Sequence, residues 1–180
     1  MRRLGIWAWF QFVLFWVTTA LGDAPPRAAH AIPLFTISKS QNRNQVQYAI
    51  HVDDRCVPTQ GSPAFAYWRM LELGPNRVAP LLSQEIRAYG IATQSFTAHS
   101  SVGGKVRLTL LAMPSRPILV ETFQGSNGVC QAFATLAIAD KPAHLFDVYV
   151  KLNLGLGVDY LLLRGRSVDG TRALNERLGV

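Results

Sequence analysis

Strict alternation of apolar and polar residues is the feature that most limits how this chain can fold. It runs through three segments, residues 45–52, 105–110 and 146–152. A period of two places successive side chains on opposite faces of a strand, so that one face can be buried while the other meets solvent. The sequence therefore predicts half-buried strands, and it contains no alternation of strands with long helices that would indicate a parallel α/β sheet.

Further strands are predicted between segments rich in turn residues. The candidates are residues 34–39, 64–71, 91–98, 118–123, 129–138 and 159–166, with connections at 41–44, 103–104, 114–117, 125–128 and 169–170. Residues 81–89 differ, because Leu82, Ile86 and Tyr89 have helical spacing, Ser83 can cap the segment and Gly90 can end it. We predict a mainly β fold, an antiparallel β-sandwich with one short helix near residues 82–89; a closed β-barrel is the alternative.

The N-terminal segment is predicted to be a leader. Arg2 and Arg3 precede an apolar run over residues 4–21, and small residues and prolines follow it. This order is typical of a secretory signal peptide. We assign residues 1–22 to the signal peptide, with cleavage as late as residue 31 as the other option, and residues 32–180 to a single β-rich domain. An uncleaved membrane anchor is the alternative.

Composition narrows the classes of partner. The chain has 180 residues, 49% of them apolar, and a formal net charge of +7 that is dispersed rather than clustered. A nucleic-acid-binding surface would need a basic stripe with stacking aromatics, so nucleic acid is not an expected partner. The expected partner is an envelope or extracellular component, in the periplasm or outside the cell. Contact with a membrane is expected only through the leader, if the leader stays uncleaved.

Two cysteines, Cys56 and Cys130, are present in the sequence. A pair of cysteines in an exported chain predicts a single disulfide. A catalytic thiol is the rival interpretation, because Cys56 lies close in sequence to His51 and Asp53.

The common catalytic and cofactor motifs do not occur. The Gly103-Gly104-Lys105 run lacks the earlier glycine and the following Ser or Thr of a phosphate loop, and the sequence contains no G-x-S-x-G, C-x-x-C or H-E-x-x-H motif. We therefore predict neither a cofactor nor a metal.

Two polar groups are weaker candidates for catalysis or binding. His51, Asp53 and Asp54 place an imidazole and two carboxylates at the end of a predicted strand, where they form either a hydrolase site or simply a polar strand exit. Lys39 combined with Tyr67 is the other candidate hydrolase site.

Five residues are candidates for ligand binding. Lys39, Asn42 and Arg43 lie in a polar run before the first alternating segment, where a hairpin turn is the simpler explanation. Tyr67 and Arg69 share one face of a later strand, and an aromatic ring beside a guanidinium can bind a sugar, a peptide or an acidic group.

Four segments carry a resemblance to a known family. They are LFTISKSQNRNQVQY, AYWRMLE, LLSQEIRAYG and VDGTRALNERL, which together extend over residues 34–178. In this order they resemble a bacterial family of exported proteins that is classed only as a domain of unknown function. The resemblance implies one compact domain behind a leader and transfers no mechanism.

These observations favour a non-enzymatic binding or structural module of the cell envelope. An exported hydrolase that uses one of the two polar groups is one alternative, and a carrier of a small apolar ligand is another.

Overall fold

The computed structural model describes residues 31–59, 61–153 and 157–179, so the predicted leader lies outside the described residues. The described part contains eleven strands and one short helix. The strands are β1 (Ala31–Lys39), β2 (Asn42–His51), β3 (Ala64–Arg69), β4 (Val78–Pro80), β5 (Ile91–His99), β6 (Gly104–Leu110), β7 (Met113–Gln124), β8 (Cys130–Ile138), β9 (Lys141–Leu152), β10 (Val158–Ser167) and β11 (Ala173–Gly179), and the helix is α1 (Ser83–Tyr89). The mainly β prediction with one short helix is confirmed.

Strand β9 organises the sheet. Residues 141–144 pair with β8, residues 147–150 pair with β1, and β10 pairs along the opposite edge of β9. Because β8 and β1 share one edge of β9, the strands beyond them must diverge into two wings. The first wing has the order β1-β2-β3-β4, and the second wing has the order β8-β7-β6-β5.

The two wings face each other in a sandwich-like arrangement, and the sheet stays open. The side-chain amide of Gln94 in β5 accepts from the Ala64 N–H at 2.9 Å and donates to the Ala64 carbonyl at 2.8 Å. This side chain bridges β3 and β5, which share no backbone ladder. The sheet is therefore not a closed barrel. It is also mixed rather than purely antiparallel, because β1 and β9 run parallel.

The hydrophobic core fills the space between the wings. Val46, Tyr48 and Ile50 in the first wing are fully buried, and so are Leu108 and Ile118 in the second. Each belongs to a row of alternate residues, as a half-buried strand requires. Tyr48 also stacks on the Phe35 ring, with 4.5 Å between ring centroids.

A disulfide ties the wings together at one end. Cys56 lies between β2 and β3, Cys130 begins β8, and their Cα atoms are 5.3 Å apart. The predicted pairing therefore agrees with this geometry. Cys56 occupies the left-handed region, with φ of 62°, in a tight turn where its N–H donates to the Asp53 carbonyl.

β-Bulges account for two places where the predicted strand pattern is wrong. The connection predicted at 114–117 lies inside β7, opposite a register shift of the β6–β7 ladder, so Pro114 and Pro117 interrupt no regular pairing. A second shift, in the β9–β10 ladder, leaves Phe146 51% exposed, although the alternation placed it with buried Val148. Phe146 turns outward because an extra residue in a strand reverses the faces that follow it.

The first hairpin is tighter than predicted. Its turn consists of Ser40 and Gln41, while residues 42–44 already belong to β2. The alternation over residues 45–52 places Gln47 on the solvent face, but its side chain is buried and donates to the carbonyls of Phe35 and Tyr48. A bulge of β1 lies beside this position, between Pro33 and Phe35.

No helix in the described ranges is long and apolar enough to cross a membrane.

Candidate functional site at the mouth between the wings

The open end of the space between the wings is lined by residues that continue its buried rows. Lys39 follows buried Ile37 by two positions in β1, and Met70 follows buried Trp68 by two positions at the end of β3. Residues two apart in a strand lie on the same face, so both side chains project from the core toward this end. We call the region formed by Lys39, Met70, α1 and the ends of β9 and β10 the mouth.

A cleft at the mouth places a cation over an aromatic ring. The Lys39 ammonium lies 4.8 Å from the centroid of the Trp68 ring. The cleft has a volume of about 280 Å³, and Met70, Leu82 and Glu85 also line it. A lysine over the face of a tryptophan is a favourable cation–π contact, which favours this position of the ammonium in the cleft. We call this the Lys39 cleft.

The acidic group of the Lys39 cleft is already engaged. The Glu85 carboxylate accepts the N–H of Leu82 at 2.8 Å, at the start of α1. In the described part of the chain, no carboxylate lies within ion-pair distance of the Lys39 ammonium. The ammonium therefore has a ring beneath it and no direct counter-ion among these residues, which leaves it able to bind an anionic group.

A second cleft of about 440 Å³ adjoins α1, and its lining is mainly apolar. Tyr89, Val150, Leu152 and Leu161 contribute to its walls, so that the end of α1 and strands β9 and β10 enclose it. This volume lies within the range of small-molecule sites in proteins. We call it the apolar cleft.

Tyr89 forms part of the wall of the apolar cleft, beside the Lys39 cleft. Its ring meets the Trp68 ring edge to face, with 5.6 Å between centroids, and its carbonyl accepts the hydroxyl proton of buried Tyr48. Burial, and then the nearby Glu85 carboxylate, raise the pKa of the Tyr89 hydroxyl. The fully buried Tyr48 therefore fixes the position of this wall from below.

Helix α1 covers the mouth without burying a residue of its own. Leu82 is 67% exposed and Ile86 is 47% exposed. Ser83 does not cap the helix; Leu82 occupies the N-cap position, and its N–H is bound by Glu85. Few buried contacts hold α1, so it belongs to the least stable part of the fold.

The other candidate ligand residues do not join Lys39. Asn42 uses its side-chain oxygen to accept the Asn44 N–H at 3.2 Å. Arg43 is exposed, and its backbone N–H donates to Glu72 at 3.2 Å. The hairpin interpretation fits both residues better than ligand contact does.

Tyr67 and Arg69 lie on the outer face of the first wing, because they alternate with inward-facing Trp68. The Tyr67 ring is 5.9 Å from the ring of Phe65. Lys39 and Tyr67 consequently face opposite sides of the sheet, and the candidate site that combined them is not formed.

The polar residues around His51 do not form a single site either. The His51 ring stacks on Phe65 with 4.3 Å between centroids, and its Nε2 is buried without a hydrogen-bond partner. Burial lowers the pKa of His51. The Asp53 carboxylate accepts the N–H groups of Val57 and Arg55, both at 2.9 Å, and the Val57 bond contributes most to lowering its pKa. Asp53 thus serves the turn that carries Cys56.

Metal-ligating side chains do not gather in the described part of the chain, where no three His, Cys, Asp or Glu residues lie close enough to hold an ion. Asp54 does not complete a catalytic group with His51 and Asp53, because those two side chains are used in a ring stack and in a turn.

Sequence reasoning identified Lys39 but missed the rest of the mouth. Glu85 and Leu161 are far from Lys39 along the chain, and their convergence depends on how the wings fold. The sequence signal that could have located the mouth is strand alternation, since Lys39 and Met70 each lie two positions beyond an inward-facing residue.

Comparison with known proteins identifies the family. No curated protein and no solved structure matches the chain significantly. Residues 35–177 match the family described as a domain of unknown function, DUF4833. That range includes the disulfide and most of the residues of both clefts. The match extends over well more than half of the chain, and the protein therefore belongs to the DUF4833 family.

Proposed function

We propose that this domain is a non-enzymatic binding module of the cell envelope that recognises an anionic group at the Lys39 cleft. The observation that carries the proposal is the Lys39 ammonium, 4.8 Å above the Trp68 ring in a cleft of about 280 Å³. An ammonium beside an apolar floor suits a carboxylate or a phosphate, because the charge supplies orientation and the floor excludes water.

Binding is favoured over catalysis by the positions of the titratable groups. General acid–base chemistry needs an acid or base within hydrogen-bond reach of the reacting atoms. The Lys39 cleft offers Glu85, whose carboxylate is used at the start of α1. His51 and Asp53 are engaged elsewhere. The hydrolase alternative therefore has less support than a binding role.

Export is part of the proposal and is supported by two features. Residues 1–22 have the pattern of a signal peptide, and a bridged cysteine pair suits an oxidising compartment. N-terminal sequencing of the native protein tests this, and a mature chain that begins between residues 23 and 32 is expected. A cytosolic protein that begins at Met1 would contradict the assignment.

Small anions provide the direct test of the Lys39 cleft. Trp68 is the one tryptophan between residues 31 and 180, so its indole N–H signal and its fluorescence report on the cleft alone. Titration of the mature domain with acetate or methyl phosphate should shift the Trp68 indole signal with weak, saturable affinity. Increasing salt should weaken the effect, because the contact is partly exposed.

Three variants make the test specific. Lys39→Gln should abolish the shift, while Lys141→Gln, an exposed lysine at the start of β9, should leave it unchanged. Glu85→Gln keeps a residue that can cap the helix and removes a negative charge from the cleft, so affinity should increase about two- to fivefold. A shift that persists in Lys39→Gln would overturn the proposal.

A further inference from the structure

The two clefts of the mouth lie side by side on one surface. Lys39 in β1 is the direct Cα partner of Val150 in β9, and Val150 lines the apolar cleft. On the other side, α1 contributes Glu85 to the Lys39 cleft and Tyr89 to the apolar cleft. The Lys39 ammonium lies over the Trp68 ring, and that ring contacts Tyr89, which lines the apolar cleft, so the two clefts meet at the Trp68–Tyr89 contact.

The chemistry of the two clefts is complementary. The Lys39 cleft offers a positive charge, and in the described residues no carboxylate pairs with it. The apolar cleft offers about 440 Å³ between aliphatic and aromatic walls. Neither property alone defines a ligand, but their adjacency matches a molecule with an anionic head and an apolar tail.

The cover of the mouth has the same apolar character. Leu82 at the N-cap of α1 and Ile86 within the helix remain largely exposed, whereas an exposed helix ordinarily presents polar residues there. Leu82 lines the Lys39 cleft. Burying Leu82 against the part of a bound chain next to its anionic head would remove this side chain from water, which favours association.

We infer that the mouth binds a single-chain anionic amphiphile, with the carboxylate or phosphate head at Lys39 and the acyl chain in the apolar cleft against Val150 and Leu161. This inference rests on the proposed function and adds the class of ligand. The tail enters beside Ala88 and Tyr89 at the end of α1.

Isothermal titration calorimetry of the mature domain with dodecanoate, kept below its micelle concentration, tests the inference. Decanoate and octanoate should bind more weakly, by about fourfold for each methylene removed from the buried part. Dodecyltrimethylammonium, which has the same tail and a cationic head, should bind at least tenfold more weakly than dodecanoate, because Lys39 repels it.

Variants separate the head from the tail. Lys39→Gln should weaken dodecanoate tenfold or more, since a hydrogen bond to a charged group is lost. Ala88→Phe and, independently, Ala112→Phe should fill the apolar cleft from exposed positions and abolish the dependence on tail length. Ala173→Phe, at an exposed position in β11, is the matched control and should bind dodecanoate normally.

The outcomes distinguish the inference from the proposed function. In one outcome, acetate binds in a Lys39-dependent way while tail length and Ala88→Phe have no effect on affinity. That result would overturn the inference of an amphiphilic ligand and leave the proposed anion site standing. If dodecanoate and dodecyltrimethylammonium bind equally and Lys39→Gln changes neither, the head assignment and the proposed function both fail. If no anion binds with or without a tail, both are overturned.

Discussion

Removing the Tyr48 hydroxyl and removing its ring should have separable effects on stability. The side chain has no exposed surface and stacks on Phe35, so Tyr48→Ala should cost about 3–5 kcal/mol, as comparable aromatic truncations do. Tyr48→Phe keeps the ring but leaves the Tyr89 carbonyl without its donor. The hydrogen bond is partly buried, and losing such a bond costs about 0.5–1.5 kcal/mol, so the smaller substitution should remain measurable.

Urea unfolding followed by Trp68 fluorescence measures both changes, because the indole contacts the Tyr89 ring. Tyr67→Phe is the control, since that hydroxyl lies on the outer face of the first wing, and it should change stability by less than about 0.5 kcal/mol. A cost below about 1 kcal/mol for Tyr48→Ala would refute the burial of this residue. A Tyr48→Phe variant as stable as the control would mean that the hydroxyl does not hold the wall of the mouth.

Three further predictions concern parts of the fold outside the mouth. The Arg116 guanidinium binds Glu176 through two hydrogen bonds, which lowers the pKa of Glu176; Glu176→Gln should cost about 1–2 kcal/mol at pH 7. This stability is present above the ordinary Glu pKa of about 4.3 and is lost as pH falls through the folded-state pKa of Glu176. The melting temperatures of the wild-type protein and of Glu176→Gln should therefore converge in acid. A difference in melting temperature that is independent of pH would contradict the pairing. Cys56→Ser should lower the free energy of unfolding by about 2–5 kcal/mol, and adding Cys130→Ser should cost little more because both changes break the same bond; costs that add fully would argue against the bridge. Arg43→Ala should change the free energy of unfolding by less than about 0.5 kcal/mol, and it should leave dodecanoate binding unchanged. A strong loss of stability or of binding would mean that the first hairpin is part of a ligand site.

Local pattern was sufficient to predict nine of the eleven described strands, all but β4 and β11. The alternation around Val46, Tyr48 and Ile50 gave the correct buried row because period two depends only on the backbone. The cysteine pair was predictable from number and compartment. Pairing between distant strands was not predictable, because alternation specifies a face and not a neighbour. The parallel β1–β9 contact is the main example.

Bulges and long-range convergence account for the remaining errors. The alternation predicts that Phe146 is buried, but a register shift turns it outward. A bulge has no strong sequence signal. The last strand, β11, was not predicted; it pairs with β10 and is linked to β7 by the Arg116–Glu176 pair, whose members are 60 residues apart. Lys39 was recognised as polar and accessible, but its place over Trp68 follows from the strand register.

Intermolecular nuclear Overhauser contacts between the mature domain and bound dodecanoate would test the mouth most directly. The methylenes next to the carboxylate should contact the Trp68 indole and the Lys39 side chain, and the terminal methyl group should contact the methyl groups of Val150 or Leu161. Contacts to Phe133 or Phe146 on the outer surface, with none to Trp68, would contradict the assignment of the mouth as the binding site.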